Sequence, residues 1–237
     1  MATLWTSESS VTSRPSAGHN SFATTFCITV HELTGTAGAI VTFDKPCVST
    51  MGHRENIFGV PLVPLPNAPS AGHSLVTILG ANFGRLDSSP AARLGASSSS
   101  STLWLLDDRL ICRSPPGVGQ AFAVVASVSY AVGGTLSASW SYDRPALDEM
   151  SQYNIPSPAS ASSPEKEVII IGDNFGSCVY SEDSRVGGSA SLRTQWISNT
   201  IIASKVAQGV GQAMTIVASV AGLQGSSLPV LSFDHVS

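Results

Sequence analysis

The side chains that could carry out catalysis are few and scattered along the chain. Five histidines lie in segments that read as turns or linkers: His19, His31, His53, His73 and His235. His53-Arg54-Glu55 has the H-x-E spacing of the zinc deaminases, but no P-C-x-x-C follows it. The H-E-x-x-H of zinc proteases and the G-x-S-x-G elbow of serine hydrolases are also missing. We therefore expect no enzyme activity.

Cysteine spacing indicates neither a zinc site nor redox chemistry. The four cysteines are Cys27, Cys47, Cys112 and Cys178, and no two of them form a C-x-x-C pair. We expect no disulfide between Cys112 and Cys178, whereas a Cys27–Cys47 bond remains open.

The composition argues against a strongly charged partner. Charged residues make up 12% of the 237 residues, the net charge is −4, and no two Lys or Arg residues are adjacent. Nucleic acids and anionic membrane surfaces both attract clustered Lys and Arg, so neither is expected as a partner. No apolar run approaches the roughly 18 to 20 residues that span a bilayer.

One line of sequence occurs twice. VTILGANFG begins at Val76 and VIIIGDNFG begins at Val168, and the same spacing of 92 residues relates Trp104 to Trp196. Aligned without a gap, residues 76–128 and 168–220 are identical at 22 of 53 positions. Such self-similarity at a fixed spacing indicates a repeat architecture.

A second spacing extends the repeat toward the N-terminus. Thr3-Leu4-Trp5 precedes the matching Thr102-Leu103-Trp104 by 99 residues, and FDKP at residues 43–46 precedes YDRP by the same distance. We infer two complete units at 60–145 and 153–237, a C-terminal half unit at 1–46, and linkers at 47–59 and 146–152. The half unit also implies a parent chain that begins upstream of Met1.

The apolar segments predict an all-β fold. They are short and bounded by Gly, Pro, Ser and Asn, and no helical apolar pattern persists for three turns. In the G-x-N-F-G segment, we expect Gly80 and Gly84 to adopt backbone angles closed to other residues. We expect five aromatic residues in the cores: Trp5, Trp104, Trp196, Phe83 and Phe175.

The order of these segments resembles the IPT/TIG immunoglobulin-like domain. The first unit runs VTILGANFG, ARLGA, STLW, RLICRSPPGVGQ, AVVASV and SYD, and the second follows with VIIIGDNFG, SRVGG, TQW, IIASK, QGVGQ, TIVASV and LSFD. The resemblance implies tandem immunoglobulin-like β-sandwiches. It also implies a disulfide from the position of Cys112 to a cysteine near the ARLGA strand, but Ser97 to Ser101 supply no cysteine and Ser204 replaces Cys112 in the second unit.

Calcium is the one cofactor that the sequence leaves open. Asp44, Asp143 and Asp234 recur where successive units meet, and carboxylates at such junctions can bind Ca²⁺ together with backbone oxygens. The alternative is that they are solvated strand ends. Asp107-Asp108 becomes Asn199-Thr200 in the second unit, so we interpret that pair as a polar hairpin tip.

The leading functional hypothesis is a structural and adhesive role. The resemblance implies a segment of an extracellular or cell-surface array, with a cilium or other appendage as one setting. Its partners would be neighbouring TIG domains or other chains, which would supply the strands that residues 3–46 lack.

The alternative function is that of a carbohydrate-binding accessory module of a larger secreted enzyme, with a glycan as partner. Such a module needs exposed aromatic side chains. Trp140 alternates with Ser139 and Ser141, so we expect it to point outward, and it is the single candidate contact residue.

Overall fold

The computed structural model describes residues 3–15, 23–53, 67–129, 131–155 and 167–233. Within these ranges all regular structure is β-strand, so the predicted all-β class is confirmed. No helix of the described ranges is long and apolar enough to cross a membrane.

The N-terminal segment forms two antiparallel hairpins. Strand β1 (Thr3–Ser7) pairs with β2 (Ser10–Ser13), and β3 (Thr24–Val30) pairs with β4 (Leu33–Val41). Among the described residues, these strands pair only within their own hairpin. No described residue of the four strands is buried, so the hairpins have no core of their own.

The described strands between Cys47 and Tyr142 form two sheets, which we call the first sandwich. Its strands are β5 (Cys47–His53), β6 (Asn67–Ala68), β7 (Leu75–Ala81), β8 (Ala91–Leu94), β9 (Ser97–Ser98), β10 (Thr102–Leu106), β11 (Arg109–Arg113), β12 (Phe122–Val128) and β13 (Ala131–Tyr142). One sheet has the order β10-β11-β7-β5 and the other the order β6-β13-β12-β8-β9. Phe83, Ile78, Leu110 and Val124 are among its fully buried side chains.

Residues 146–233 repeat this arrangement. The strands are β14 (Ala146–Met150), β15 (Asn154–Ile155), β16 (Glu167–Asp173), β17 (Asp183–Val186), β18 (Ser189–Ala190), β19 (Arg193–Ser198), β20 (Ile201–Lys205), β21 (Ile216–Val220), β22 (Leu223–Ser226) and β23 (Ser232–Phe233). The sheets have the orders β14-β16-β20-β19 and β18-β17-β21-β22, and β15 pairs with β23. Phe175, Ile170, Ile202 and Leu231 belong to the core.

The segments expected to be linkers are in part strands of the sandwich that follows. Strand β5 pairs with β7, and β14 pairs with β16, both antiparallel. The prediction of linkers is therefore wrong for residues 47–53 and 146–150. The reason is that these segments bury apolar side chains, Val48 and Met51 in β5 and Met150 in β14. Of the rest of the first predicted linker, residues 54–59 lie outside the described residues.

Three hairpins share one register. Trp5 is opposite Val11, Trp104 is opposite Leu110 and Trp196 is opposite Ile202, and in each hairpin a register shift follows immediately after the tryptophan. The repeat seen in the sequence is therefore also a repeat of strand pairing, and β1–β2 has the geometry of the hairpin β10–β11.

The last strand differs between the two sandwiches. Strand β13 runs without a break to Tyr142, whereas its counterpart is divided into β22, which ends at Ser226, and β23, which begins at Ser232. Pro229 stands at the position of Ala138, whose φ is +48°. Proline fixes φ near −65° and lacks an N–H group, so it cannot take up that conformation and the strand is interrupted there.

Candidate functional site

The repeated G-x-N-F-G turn positions the first strand of the first sandwich. A Cβ at Gly80 would overlap the carbonyl oxygen of Cys47, so only glycine allows the two backbones to approach this closely. Asn82 has a φ of +63° and donates its Nδ2–H to the Lys45 carbonyl oxygen at 3.2 Å. The expectation that Gly80 adopts an unusual backbone angle is wrong, because close approach explains it, whereas Gly84 does have a φ of +92°.

The second sandwich has the same close approach and the same asparagine hydrogen bond. A Cβ at Gly172 would overlap the Ala146 carbonyl oxygen. Asn174, with a φ of +65°, donates its Nδ2–H to the Arg144 carbonyl oxygen at 3.3 Å. The line that occurs twice in the sequence therefore has a structural role.

The acidic hairpin tip has a structural role as well. The Asp107 carboxylate accepts a hydrogen bond from the Gly84 N–H at 2.8 Å, and its carbonyl oxygen accepts one from the Phe83 N–H at 2.8 Å. In the second sandwich, Asn199 Oδ1 accepts from the Gly176 N–H at 3.0 Å. The substitution of Asn for Asp therefore preserves an acceptor that holds the turn.

The tryptophans of the repeated hairpins are not equally placed. Trp104 and Trp196 are half-buried, and each donates its indole N–H to the turn beside it, at the carbonyl oxygens of Gly84 (3.1 Å) and Gly176 (3.3 Å). Trp5 is 68% exposed, so the prediction of a core position for it is wrong in this structure. The reason is that no described strand with a G-x-N-F-G turn lies beside the β1–β2 hairpin.

The expected contact residue, Trp140, is buried. Its exposed fraction is 2%, and its ring lies edge to face against Tyr142 at 5.8 Å between centroids. The prediction that it points outward is wrong. Residues two apart on a strand share a face, and Tyr142 faces the core, where its hydroxyl donates to the Pro115 carbonyl oxygen at 3.0 Å.

The calcium candidates gain no ligand set. The described residues contain no group of three or more His, Cys, Asp and Glu that could hold a metal ion. Asp44 is exposed, and Asp143 contacts the Asn67 side chain. Desolvation raises the pKa of the Asp143 carboxyl, and the hydrogen bond with Asn67 opposes that rise. Asp234 lies outside the described residues, and calcium stays a prediction.

A buried polar cluster occupies the position at which the resemblance implies a disulfide. All four cysteines are free. Burial raises the pKa of the Cys112 thiol to about 11. At the matching positions of the second sandwich, Ser191 Oγ and Ser204 Oγ lie 2.9 Å apart, and Ser184 Oγ is 2.7 Å from Ser204 Oγ. Hydrogen bonding between hydroxyls thus takes the place of a covalent bond.

The N-terminal hairpins expose several large apolar side chains. These are Leu4, Trp5, Val30, Leu33 and Ile40. In the first sandwich, the strands equivalent to β2 and β3 are β11 and β12, which pair with β7 and β8. The hairpins have no such neighbours among the described residues, which makes them a candidate surface for strand addition.

A groove on the second sandwich presents an exposed aromatic ring. It has a volume of about 150 Å³, and its lining includes Asp148, Glu149, Tyr153, Leu228 and Val230. Tyr153 is 47% exposed and is, with Trp5, one of two aromatic residues among the large exposed side chains of the described ranges. We call this feature the Tyr153 groove. Sequence reasoning missed it because it placed Tyr153 at the very start of a unit, next to a predicted linker.

A larger cavity of about 270 Å³ lies elsewhere in the same sandwich. Its lining includes Gln208, Val210, Met214 and Phe233, with no charged residue. It offers neither an exposed aromatic ring nor a carboxylate.

Comparison with known proteins supports the fold. Residues 62–143 match the family model of the IPT/TIG domain. No curated protein matches the chain.

Several solved structures show a partial similarity to this chain. SGBP-B from a xyloglucan utilization locus in Bacteroides uniformis is 11% identical, with 80% of this chain and 50% of that chain covered and a TM-score of 0.31. The surface glycan-binding protein PbSGBP-B from Prevotella bryantii is 18% identical, with 79% and 42% covered and a TM-score of 0.49. The extracellular region of plexin A4 is 16% identical, with 80% and 18% covered and a TM-score of 0.34.

This chain spans half or less of the length of each of these structures. Similarity at this level carries no argument about the ligands or partners of this chain.

The family match and the structure agree on one segment. The matched range contains the G-x-N-F-G turn at Gly80, the tryptophan strand β10 and the closing residue Tyr142. Residues 62–143 of this chain are therefore similar to the IPT/TIG domain.

Proposed function

We propose that this chain is a structural segment of an extracellular or cell-surface assembly, in which strands of a neighbouring IPT/TIG unit complete its N-terminal hairpins. The observation that carries the proposal is the shared register of β1–β2 and β10–β11, including the register shift after the tryptophan. A hairpin with this geometry lies, in the first sandwich, against a G-x-N-F-G strand.

The exposed side chains supply the driving force for such completion. Burying one large apolar side chain stabilises by roughly 1.5 to 3 kcal/mol, and the hairpins expose five of them, including Trp5 and Leu4. An open sheet edge with apolar side chains is also prone to pair with other chains. Strand addition would bury these apolar side chains and pair the open sheet edge.

The proposal includes no enzymatic activity and no nucleic-acid partner. A ciliary setting stays a prediction, because neither the fold nor the comparisons bear on it.

A graft tests whether the hairpins are half of an IPT/TIG unit. Thr3 corresponds to Thr102, so a copy of residues 47–101 is placed directly before Thr3 in the full chain. We expect hydrogen exchange of the β1–β4 amides to slow by at least tenfold, because the copied strands supply the missing neighbours. Exchange is followed by mass spectrometry of the peptides that cover these strands.

The matched control is the same graft with its copied GANFG replaced by Gly and Ser residues. It should leave the β1–β4 amides as exposed to exchange as in the unmodified chain. Equal exchange with both grafts, or strong protection in the unmodified monomer, would show that the hairpins need no completing strands.

The association state gives a second test. We expect the full chain to self-associate through its hairpins, and a chain without residues 1–43 to be monomeric by light scattering. The cut falls before Lys45 because Asn82 bonds its carbonyl oxygen and because Pro46 is buried. A truncated chain that aggregates more than the full chain would contradict the proposal.

Glycan binding is the second candidate function. Two of the solved structures are surface glycan-binding proteins by name. With TM-scores below 0.5, their similarity does not support glycan binding by this chain. Burial of Trp140 removes the residue that sequence reasoning offered for it. What favours this function is the exposed ring in the Tyr153 groove.

A further inference from the structure

We propose that the Tyr153 groove is a binding site for one residue of a neutral saccharide. The inference identifies the site and the ligand class for the second candidate function, and it does not depend on completion of the N-terminal hairpins. It rests on the frame of the groove, the free polar groups in it and its size.

The frame of the groove is held by hydrogen bonds on both sides. The Tyr153 carbonyl oxygen accepts from the Ser232 N–H at 2.8 Å, and the Ser151 N–H donates to the Ile169 carbonyl oxygen at 2.9 Å. On the opposite side, the Ser227 N–H donates to the Ile216 carbonyl oxygen at 2.8 Å, while Ser227 Oγ accepts from the Ile216 N–H at 3.0 Å. The ring of Tyr153 is therefore presented from backbone that is already fixed, which lowers the entropy lost on binding.

The polar groups of the groove are free to accept hydrogen bonds. Neither Asp148 nor Glu149 has a side-chain hydrogen bond or ion pair within the described part of the chain. Asp148 sits at a register shift between Leu147 and Glu149, an irregularity that re-aims a side chain. At the matching shift of the first sandwich, the Ser49 hydroxyl instead donates to a backbone carbonyl oxygen at 3.1 Å. At this position the second sandwich has a carboxylate, Asp148, without a hydrogen bond in the described residues, whereas the first has a hydroxyl, Ser49, that is already hydrogen-bonded.

One wall of the groove comes from a segment that differs between the two sandwiches. Part of its wall is the segment between β22 and β23, which contains Ser227, Leu228 and Val230 and follows from the interruption at Pro229. In the first sandwich, the uninterrupted strand β13 occupies this position. The proline at position 229, where the first sandwich has Ala138, therefore accompanies the segment that forms this wall of the groove.

The chemistry of the groove matches a neutral sugar ring. Its aromatic ring and the exposed Leu228 and Val230 offer an apolar surface for the C–H face of a pyranose. Ionised carboxylates accept hydrogen bonds from hydroxyl groups, and such charge-assisted bonds are strong. The same carboxylates repel sulfated or uronic acid residues. At about 150 Å³ the groove lies below the roughly 300 Å³ of drug-sized sites and suits a single ring.

The test uses the full chain and a printed array of neutral, acidic and amino-sugar oligosaccharides, followed by calorimetry with the best neutral binder. We expect binding of neutral oligosaccharides that Tyr153→Ala weakens by at least tenfold. Asp148→Asn and Glu149→Gln together should also weaken it at least tenfold, because an amide makes a weaker acceptor. Added salt up to 0.5 M should leave the affinity nearly unchanged, since the ligand is uncharged.

Two matched controls accompany these variants. Trp5→Ala removes the other exposed aromatic ring, and Leu192→Ala removes an exposed apolar side chain of the same sandwich outside the groove. Both should bind as the unaltered chain does, and thermal unfolding should show that the Tyr153→Ala second sandwich is folded. Absence of neutral glycan binding, unaltered affinity in Tyr153→Ala, or capture only of basic ligands that salt releases would each overturn the assignment.

Discussion

At the residue scale, the two sandwiches are natural variants of each other. Where the first has Asp107 and Cys112, the second has Asn199 and Ser204 at the same places in the fold. The Asp/Asn pair keeps the acceptor that holds the turn and changes its charge, and the Cys/Ser pair replaces a thiol with a less acidic hydroxyl. The consequences of single substitutions can therefore be anticipated by reading one sandwich against the other.

Asp107 shows how this works for a turn. We expect Asp107→Ala to destabilise the first sandwich by about 1–2 kcal/mol, because the Gly84 N–H loses its acceptor. Asp107→Asn should cost less than about 0.5 kcal/mol, since Asn199 fills this role in the second sandwich. Urea denaturation of the two variants measures the difference. Equal losses for Ala and Asn would mean that the side-chain acceptor is not what holds the turn.

Cys112 gives a prediction about alkaline pH. Its thiol has an ordinary pKa of 9.0 and a folded pKa of about 11, so at intermediate pH the folded state keeps a proton that the unfolded state has lost. The resulting stability is constant below about pH 9 and falls as the pH rises toward 11, by up to about 3 kcal/mol. Denaturant unfolding of the first sandwich between pH 8 and 11 measures this loss.

The variant Cys112→Ser isolates the thiol. It copies Ser204 of the second sandwich and should remove most of the alkaline loss while leaving the fold intact. Burial also raises the pKa of Tyr142, which adds a loss of the same sign in both proteins. If Cys112→Ser lost stability as steeply as the unaltered chain, the thiol would not be the group responsible.

At the scale of the element, the main lesson concerns the first strand of each sandwich. Strands β5 and β14 each have polar residues between their apolar ones, so their sequences do not stand out from linkers. They are recruited because the G-x-N-F-G strand offers a hydrogen-bonding edge and a glycine that allows close approach. The partner strand, more than the strand itself, decides that these residues are extended.

Gly80 and Gly172 test this dependence. We expect Gly80→Ala and Gly172→Ala each to destabilise its own sandwich by about 1–3 kcal/mol or more, because the added Cβ overlaps a backbone carbonyl oxygen of the first strand. Gly35→Ala is the control, since a Cβ there meets nothing within 4 Å. Thermal unfolding measures the loss of stability. If the β5 amides of Gly80→Ala exchanged hydrogen as slowly as in the unaltered chain, or more slowly, the close-approach explanation would be wrong.

At the scale of the whole molecule, the described residues form two N-terminal hairpins and two sets of paired sheets. The core of the second sandwich is built from residues between Met150 and Phe233, including Phe175 and Ile202. The N-terminal hairpins contribute no buried residue. Separate cores favour separate unfolding transitions.

Trp104 and Trp196 provide the corresponding prediction. Each is half-buried and bonds its own turn, so Trp104→Ala and Trp196→Ala should each destabilise one sandwich by about 2 kcal/mol. Calorimetry should show one transition lowered and the other largely unchanged. A similar shift of both transitions in either variant would mean that the two sandwiches unfold as one unit.

The sequence alone determined the features that depend on local pattern. The spacing between Trp104 and Trp196, the twofold G-x-N-F-G line and the short apolar segments predicted repeated β-units with buried Phe83 and Phe175, because turn residues and alternation act over a few positions. Tertiary structure decided which face is covered. Trp140 is buried because it shares a face with Tyr142, and Trp5 is exposed because no strand of the described residues covers it. Tyr153 faces a groove because the strand beside it is interrupted at Pro229. The residues around Tyr153 do not predict this interruption, which lies 76 residues away in the sequence.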